Sequence, residues 1–373
     1  MPTEKKRSGH LFLNSILRVD LETSAVTTAR DGNSSPATVS LALNNRPGVS
    51  PVTRQRILDI AASEGYISRR REVAQDKKII KLIAVSKPNT SDVHNFRTSF
   101  FADIINWVQK RCSQFNYSML YSIIPHNDFI ATINSSEAEQ PSDGIILLGT
   151  YLDGSEVDSL TGISTPLVVL DRNCTLSQLN SVGINNYMGA YVSVSSLIEL
   201  GHRHIGYVSS SSSVANLTEQ NQGFTKALSD QKLTPYQDSY FHCNSYISDG
   251  VRLLGQQLAK CRDLPTAFFC ENDYNALCLI SALAQLGLRT PEDISVIGFD
   301  DVPECIIASP QLTTVHVNRK AMAYTAVELL HSLISDLDAD ATKNICINVR
   351  LIKRASTCPP SSSRTEADIP SAD

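Results

Sequence analysis

The sequence predicts an α/β fold in which a small N-terminal helix-turn-helix unit precedes doubly wound parallel sheets, enough for more than one domain. Three observations carry the prediction. From Ile79 onward short β-rich apolar runs alternate with helical stretches, the pattern of parallel sheets covered on both faces. Between Ser35 and Tyr66 two helical patterns each open on a Ser-Pro pair, which marks a compact helical unit ahead of the sheets. A chain of 373 residues, 42% hydrophobic and 19% charged, is ordinary globular material but too long for one hydrophobic core.

Taken in order, residues 1–24 match no recognisable element and read as a disordered extension. "AVTTARDGN" then offers a short helix with Val26 and Ala29 inward, closed by a Gly-containing turn at Asp31 to Asn33. In "SSPATVSLALNN" the Ser35 hydroxyl suits an N-cap, accepting from an orphan amide, and Pro36 suits the first helical position, where no donor is needed. Val39 and Leu43 fall four apart on one face with Ala42 beside them, while Thr38, Ser40 and Leu41 point elsewhere and Asn44 ends the run. The next helix starts at Ser50-Pro51 and is expected to place Val52, Ile57, Ile60 and Ala61 on its apolar face. Three short helices over 25–66, the first two joined by a tight turn, describe a helix-turn-helix, and residues 67–78 follow as a basic hinge. Residues 1–80 carry 13 Lys and Arg against 8 Asp and Glu, the remainder 20 against 30. A basic head on an acidic body is the charge footprint of a nucleic-acid-binding module, although a solvated basic tail gives the same count.

The strand runs are "IIKLIAVS", "YSMLYSI", "DGIILLG", "PLVVLDR", "HIGYVSS", "TAFFCEN" and "ISVIGFD"; the helical ones include "FFADIINWVQKRCSQF", "NYMGAYVSVSSLIELG" and "DYNALCLISALAQLG". The Pro- and Ser-rich end, 357–373, reads as a disordered tail. No segment reaches the roughly 20 apolar residues of a membrane helix, and the start "MPTEKKRSGHLFLN" lacks a long apolar region and a cleavage site, so a cytoplasmic protein without membrane contact is expected. Nine cysteines without C-x-x-C spacing argue against a disulfide framework and a zinc site, and are expected as reduced, mostly buried thiols. With no G-x-S-x-G, no phosphate-cradling glycine loop and no HExxH, the chain does not read as an enzyme, and no catalytic residue, metal or cofactor is expected.

At "SPATVSLALNNRPGVSPVTRQRILDIAASEGY" the sequence resembles the DNA-binding head of the lactose-repressor (LacI/GalR) family of bacterial transcription regulators, through recognition helix, turn and third helix. The resemblance implies that Thr38, Ser40 and Asn44 touch phosphates and base edges in the major groove, and that Pro36, Ala37 and Leu41 stand where members vary with operator sequence. Ser35, Ser50 and Thr53 complete the implied DNA-facing set on the helices. An arginine is common at the Leu41 position; leucine offers only apolar contact, for example to a thymine methyl. The first helix departs further, with Thr27 and Thr28 where an acidic and an apolar residue are usual. After Tyr66 the family inserts a hinge leucine into the minor groove; here that position is Gln75, with Val73 and Ala74 the nearest apolar candidates. Arg69, Arg70 and Arg71 are expected to grip phosphates and make binding salt-dependent.

The same resemblance covers the region from Ile79 through "LIELGHRHIGYVS", "PTAFFCENDYNALCLISALAQLGLRTPEDISVIGFDD" and "SPQLTTVHVN". It implies an effector-binding and dimerisation core over 79–356 with a two-lobed periplasmic-binding-protein-like fold: lobe one about 79–180 and 311–340, lobe two about 181–310 and 341–356. The implied ligand residues are Asp273, accepting from sugar hydroxyls or purine groups; Asp171 and Arg172 at another strand end; Phe100 and Phe101 as a stacking pair; Gln220; and Tyr246. Asp273 also reads as a helix cap and Phe101 as core, while His202 and His204 are assigned to turn structure. Arginine is frequent at the Gln220 position, and glutamine supplies no charge, so a neutral, hydroxyl-rich ligand suits the cleft better than an anion unless Arg172 or Arg203 compensates.

The function so implied is a DNA-binding transcription regulator, by default a repressor, whose partners are double-stranded DNA in a pseudo-palindromic operator, a small-molecule effector of the sugar class and a second copy of itself. A homodimer is expected and a tetramer is compatible, in the cytoplasm and at the nucleoid when on operator. One rival is a family member whose irregular first helix and hinge have weakened DNA binding, leaving a ligand sensor. A sugar-binding protein with the same core would lack the head.

Overall fold

The computed structural model describes residues 35–43, 46–63, 77–86, 98–210, 214–235, 239–243, 247–335 and 341–361. The expected helix at 25–33, Asn44, the hinge candidates Arg69, Arg70, Arg71 and Val73, the loop residue Tyr246 and the tail 362–373 lie outside the described residues. The chain divides into two compact units, Met1–Lys77 and Lys78–Asp373.

In the first unit, α1 (Pro36–Leu43) and α2 (Pro51–Ser63) start as their Ser-Pro pairs dictate. The Thr38 amide donates to Ser35 Oγ and the Thr53 amide to Ser50 Oγ, each at 3.2 Å, so a hydroxyl satisfies one orphan donor of each first turn. Val39, Ala42 and Ile57 form a small core against which Leu43 and Val49 pack. Arg54 of α2 donates to the carbonyls of Arg46 (2.6 Å) and Ala42 (3.4 Å), serving acceptors that the end of α1 leaves open. Val52 departs from its expected place in this core, being 81% exposed. Five positions before Ile57, it is turned about 140° around the helix from the buried side.

The second unit holds two six-stranded sheets. The first contains β1 (Ile79–Ser86), β2 (Ser118–Pro125), β3 (Gly144–Leu148), β4 (Leu167–Leu170), β5 (Asn180–Ile184) and β11 (Asn344–Ile347), all parallel, in the order β11-β5-β4-β3-β1-β2. The second contains β6 (Ile205–Ser210), β7 (Tyr240–Cys243), β8 (Ala267–Cys270), β9 (Ser295–Asp300), β10 (Thr313–His316) and β12 (Arg350–Ile352), in the order β12-β10-β9-β8-β6-β7, with only β12 antiparallel. Each is a doubly wound sheet extended by one late strand, and in such sheets ligands bind beyond the C-terminal strand ends where the winding reverses. Helices α3 (Ser99–Gln114), α4 (Phe129–Glu139), α5 (Gly154–Ser159) and α11 (Arg319–Ile334) belong to the first lobe; α6 (Asn186–Glu199), α7 (Ala215–Asp230), α8 (Ile247–Leu258), α9 (Asp273–Gln285) and α10 (Glu304–Ile307) belong to the second. Among the described residues no helix is long and apolar enough to cross a membrane.

All seven expected strands are present, β1 at the expected residues. Its one charge, Lys81, is buried yet satisfied, donating to the Ser136 and Gln140 carbonyls at 2.9 and 2.7 Å at the C-terminal end of α4 and pairing with Glu137 at 2.7 Å. The lobe boundaries differ from the expected ones. Residues 181–184 lie in β5 of the first sheet, 313–316 form β10 of the second, and 344–347 form β11 of the first. The chain therefore crosses after β5, after β10, and again in the two residues between β11 and β12. The tail also begins later than expected. Cys358 stays on the second lobe, its amide donating to Ser295 Oγ (3.0 Å) and its carbonyl accepting from Ser295 Oγ (3.1 Å) and His202 Nε2 (2.9 Å). Buried polar partners thus hold a Pro/Ser-rich stretch that composition alone assigns to disorder. All nine cysteines are free, six of them buried.

Candidate ligand-binding cleft

The C-terminal ends of both sheets open onto one cavity of ≈ 440 Å³. Thr150 and Tyr151 follow β3, Asp171 follows β4 and Ile184 ends β5; across the gap Ser210 ends β6, Glu271 and Asn272 follow β8, and Asp300 ends β9. The N-terminal turns of helices complete the wall, with Phe100 and Phe101 of α3, Asn216 and Gln220 of the first two turns of α7, and Tyr274 of α9. Phe100 and Phe101 meet edge to face at 5.2 Å, a rigid apolar corner. Hydrogen bonds cross between lobes, among them Asn216 Nδ2 to the Asp171 carbonyl (3.0 Å), Asn173 Nδ2 to Glu219 Oε2 (3.0 Å) and Ser99 Oγ to Glu304 Oε1 (2.8 Å).

Acids dominate the chemistry of the cavity. Asp171 accepts from the Thr150 hydroxyl at 2.6 Å, but burial outweighs that bond and, with Glu219 nearby, pushes its carboxyl up to about 7. Glu271 accepts from the Tyr207 hydroxyl (2.8 Å) and the Ser210 amide (2.5 Å), and burial again prevails, raising it to about 7. Asp300 is raised by burial first, then by repulsion from Asp273 and Asp171. Asp171 and Asp300 hold φ of 64° and 114°, left-handed backbone that side chains rarely adopt and that clusters at binding sites.

Of the ligand residues expected from the sequence, Phe100, Phe101, Asp171 and Gln220 line the cavity. Asp273 does not: it is fully buried behind the wall, accepting from the Val302 amide (2.9 Å) and the Thr314 hydroxyl (2.5 Å), with Gly298 leaving room for its carboxylate. Nor does it cap α9, a role taken by Asn272, whose side chain accepts from the Asn275 amide at 2.8 Å. Arg172 also turns away, donating to the Leu152 carbonyl, and Arg203 serves the carbonyls of Ile198 and His202. Neither therefore compensates for Gln220. His202 and His204 sit in the expected turn region, bonded to Thr266 and Ser239. Glu271 and Asp300 are the acids that sequence reasoning missed. Their signal was an acidic residue at the very end of an apolar strand run, in "FFCE" and "IGFD".

Two doubly wound lobes with a cavity between their strand ends define a small-molecule-binding core. Residues 194–357 match the periplasmic binding protein-like domain family. Over most of its length the chain is similar to HTH-type transcriptional repressors PurR: that of Mannheimia succiniciproducens is 30% identical over 329 residues, 86% of this chain and 95% of the relative, and that of Photobacterium profundum 29% identical over 83% and 91%. In fold it is similar to a Lac repressor dimer bound to operator and the anti-inducer ONPF, with TM-score 0.69 and 24% identity over 89% of this chain and 98% of that one. It is also similar to the regulator CelR in complex with cellobiose, with TM-score 0.65 and 23% identity over 88% and 98%. The chain belongs to the LacI/GalR family of transcription regulators.

Proposed function

We propose that this chain is a transcription repressor that binds a pseudo-palindromic operator as a homodimer, and whose DNA affinity is set by a sugar or sugar derivative held between its lobes. The observation that carries this reading is the cavity at the strand ends, bridged by hydrogen bonds between lobes, in a family whose similar members are named repressors. A ligand that prefers one degree of closure shifts the balance of conformations, and DNA must then alter ligand affinity by the same factor.

The head supports the DNA role. Ala37 and Ser40 are exposed on α1, Thr38, Leu41 and Thr53 are half-buried, and neither α1 nor α2 has an acid in its first turn to repel phosphate. Two surfaces support the dimer: edge strand β2, which exposes Leu120, Tyr121 and Ile123, and a shallow groove between α8 and α9 lined by Val251, Gly255, Ala259 and Leu286.

The test is fluorescence anisotropy with duplexes selected from a random pseudo-palindromic pool, at two salt concentrations. Salt-sensitive, sequence-selective binding is expected, weakened about tenfold or more in the Ser40→Ala, Asn44→Ala double variant. Failure to select any sequence above nonspecific background overturns the repressor reading in favour of a ligand sensor.

A further inference from the structure

The cleft holds three acids and no base among its described lining residues. Asp171 reaches it from lobe one, Glu271 and Asp300 from lobe two, and none of the described residues lining it is Lys, Arg or His. Nearby guanidiniums are engaged elsewhere: Arg172 and Arg203 on backbone carbonyls, and Arg319 on the Asp103 carboxylate (3.1 Å) and the carbonyls of Asp300 (2.6 Å) and Asp301 (3.2 Å). The protein's own donors serve only part of the set. Thr150 serves Asp171, and Tyr207 and Ser210 serve Glu271, but no described residue donates to the Asp300 carboxylate. Gln220 is 4% exposed, spends its amide nitrogen on Asn186 at 3.4 Å, and leaves Oε1 buried with no partner.

Arg319 offsets part of the charge at Asp300, but Asp171 and Glu271 have no cation among the residues lining the cavity. Buried acceptors without donors, and acids crowded into one cavity, are costly, and a ligand that supplies donors and positive charge removes the cost on binding. An anion meets three acids here and no cationic side chain among the described lining residues, only neutral hydroxyls and amides. A neutral polyol satisfies the acceptors but leaves the repulsion between Asp171 and Asp300 uncompensated. Resting on the effector reading above, we propose that the effector is an organic cation: a hydroxyl-bearing ring with a protonated amine, the ammonium between Asp171 and Asp300, a ring donor on Gln220 Oε1, and an apolar face toward Phe100 and Phe101.

The probes are matched sugars, titrated calorimetrically into the full-length protein: glucose, galactose and ribose, each as the neutral sugar, the amino sugar and the sugar acid. Within the series that binds best, the amino sugar is expected to bind at least tenfold tighter than the neutral one, and the acid weakest. Asp171→Asn and Asp300→Asn should each cut that preference to below about threefold, whatever each does to the affinity for the neutral sugar. A neutral or acidic member binding as tightly as the amine, or a preference that survives both substitutions, overturns the charge assignment. Phe101→Ala with Gln220→Ala, its fold checked by thermal unfolding, separates this failure from a deeper one. If the double variant abolishes binding, the cavity is the site and only the charge inference is at stake; binding that persists unchanged places the effector elsewhere and removes the effector reading together with the proposal.

Discussion

Replacing Asp273 separates the two roles open to its carboxylate. Sequence position makes it a ligand acceptor; the structure buries it, with the Val302 amide on Oδ2 and the Thr314 hydroxyl on Oδ1, where it ties the segment after β9 and strand β10 to the start of α9. Asp273→Ala strands both donors in the interior. At about 1–3 kcal/mol per orphaned group, offset in part because a carboxyl raised to about 7 by burial no longer needs desolvating, the net loss is about 2–4 kcal/mol. Asp273→Asn keeps the shape and one acceptor, and its NH2 can donate to the Thr314 oxygen, so its cost is about 1 kcal/mol or less. Urea unfolding followed by circular dichroism and Trp107 fluorescence reads both. The midpoint should fall clearly for alanine and little for asparagine, and the asparagine variant should bind effector within about threefold of wild type. An alanine variant that unfolds at the wild-type midpoint, or an asparagine variant of full stability whose effector affinity drops tenfold, refutes the structural role.

Two further outcomes follow from the same geometry. Glu271 holds its proton more tightly in the folded protein, at about 7 against an ordinary 4.5, so the stability it contributes is complete below about 4.5 and is lost as pH rises through about 7. Glu271→Gln should reduce the decline of the urea midpoint between about pH 5 and pH 7.5, leaving the shares due to Asp171, Asp273 and Asp300; an unchanged slope contradicts the assignment. At the α6–α7 contact, a Cβ on Gly223 would lie 2.1 Å from the Tyr187 carbonyl oxygen. Gly223→Ala must push the two helices apart and cost about 1–3 kcal/mol, visible as a lower melting temperature; a wild-type value would mean that the pair packs more loosely than described.

Six of the seven strands that the sequence reveals are largely buried, such as "IIKLIAVS" and "ISVIGFD", where the apolar run is itself the signal; the seventh, edge strand β2, is apolar but exposed. The strands it hides are β5 "NSVGI", β7 "YFHC", β10 "TTVH", β11 "NICI" and β12 "RLI", short or polar segments that become strands through the neighbours they pair with. The same limit explains the lobe boundaries, because nothing local says which sheet a three- or four-residue strand will join. In the cleft, the aromatic pair and Asp171 were legible from strand ends and resemblance. Whether residue 271 or 273 faces the ligand depends instead on the turn that carries the chain from β8 into the helix starting at Asp273; strand alternation alone would put both on one face. Val52 failed for a simpler reason, a helical phase counted five residues from its partner.

The placement of the acids gives the cleft a mechanical consequence. Asp171 stands on one lobe and Glu271 and Asp300 on the other, so like charges face each other across the gap that the Asn216, Asn173 and Ser99 hydrogen bonds close. In their ionised forms these groups oppose closure, and the opposition grows as closure excludes water and lowers the local dielectric. A proton or a ligand cation placed between them relieves the same repulsion. On the effector reading, acidification and an amine ligand therefore push along one coordinate: both favour the closed arrangement, and each makes the other less needed. Amine affinity should accordingly fall as pH drops through about 7, because a cavity whose acids are already protonated has less charge left for the ligand to neutralise. A neutral sugar should show little of that dependence, and comparing the two pH profiles separates charge neutralisation from simple filling of space.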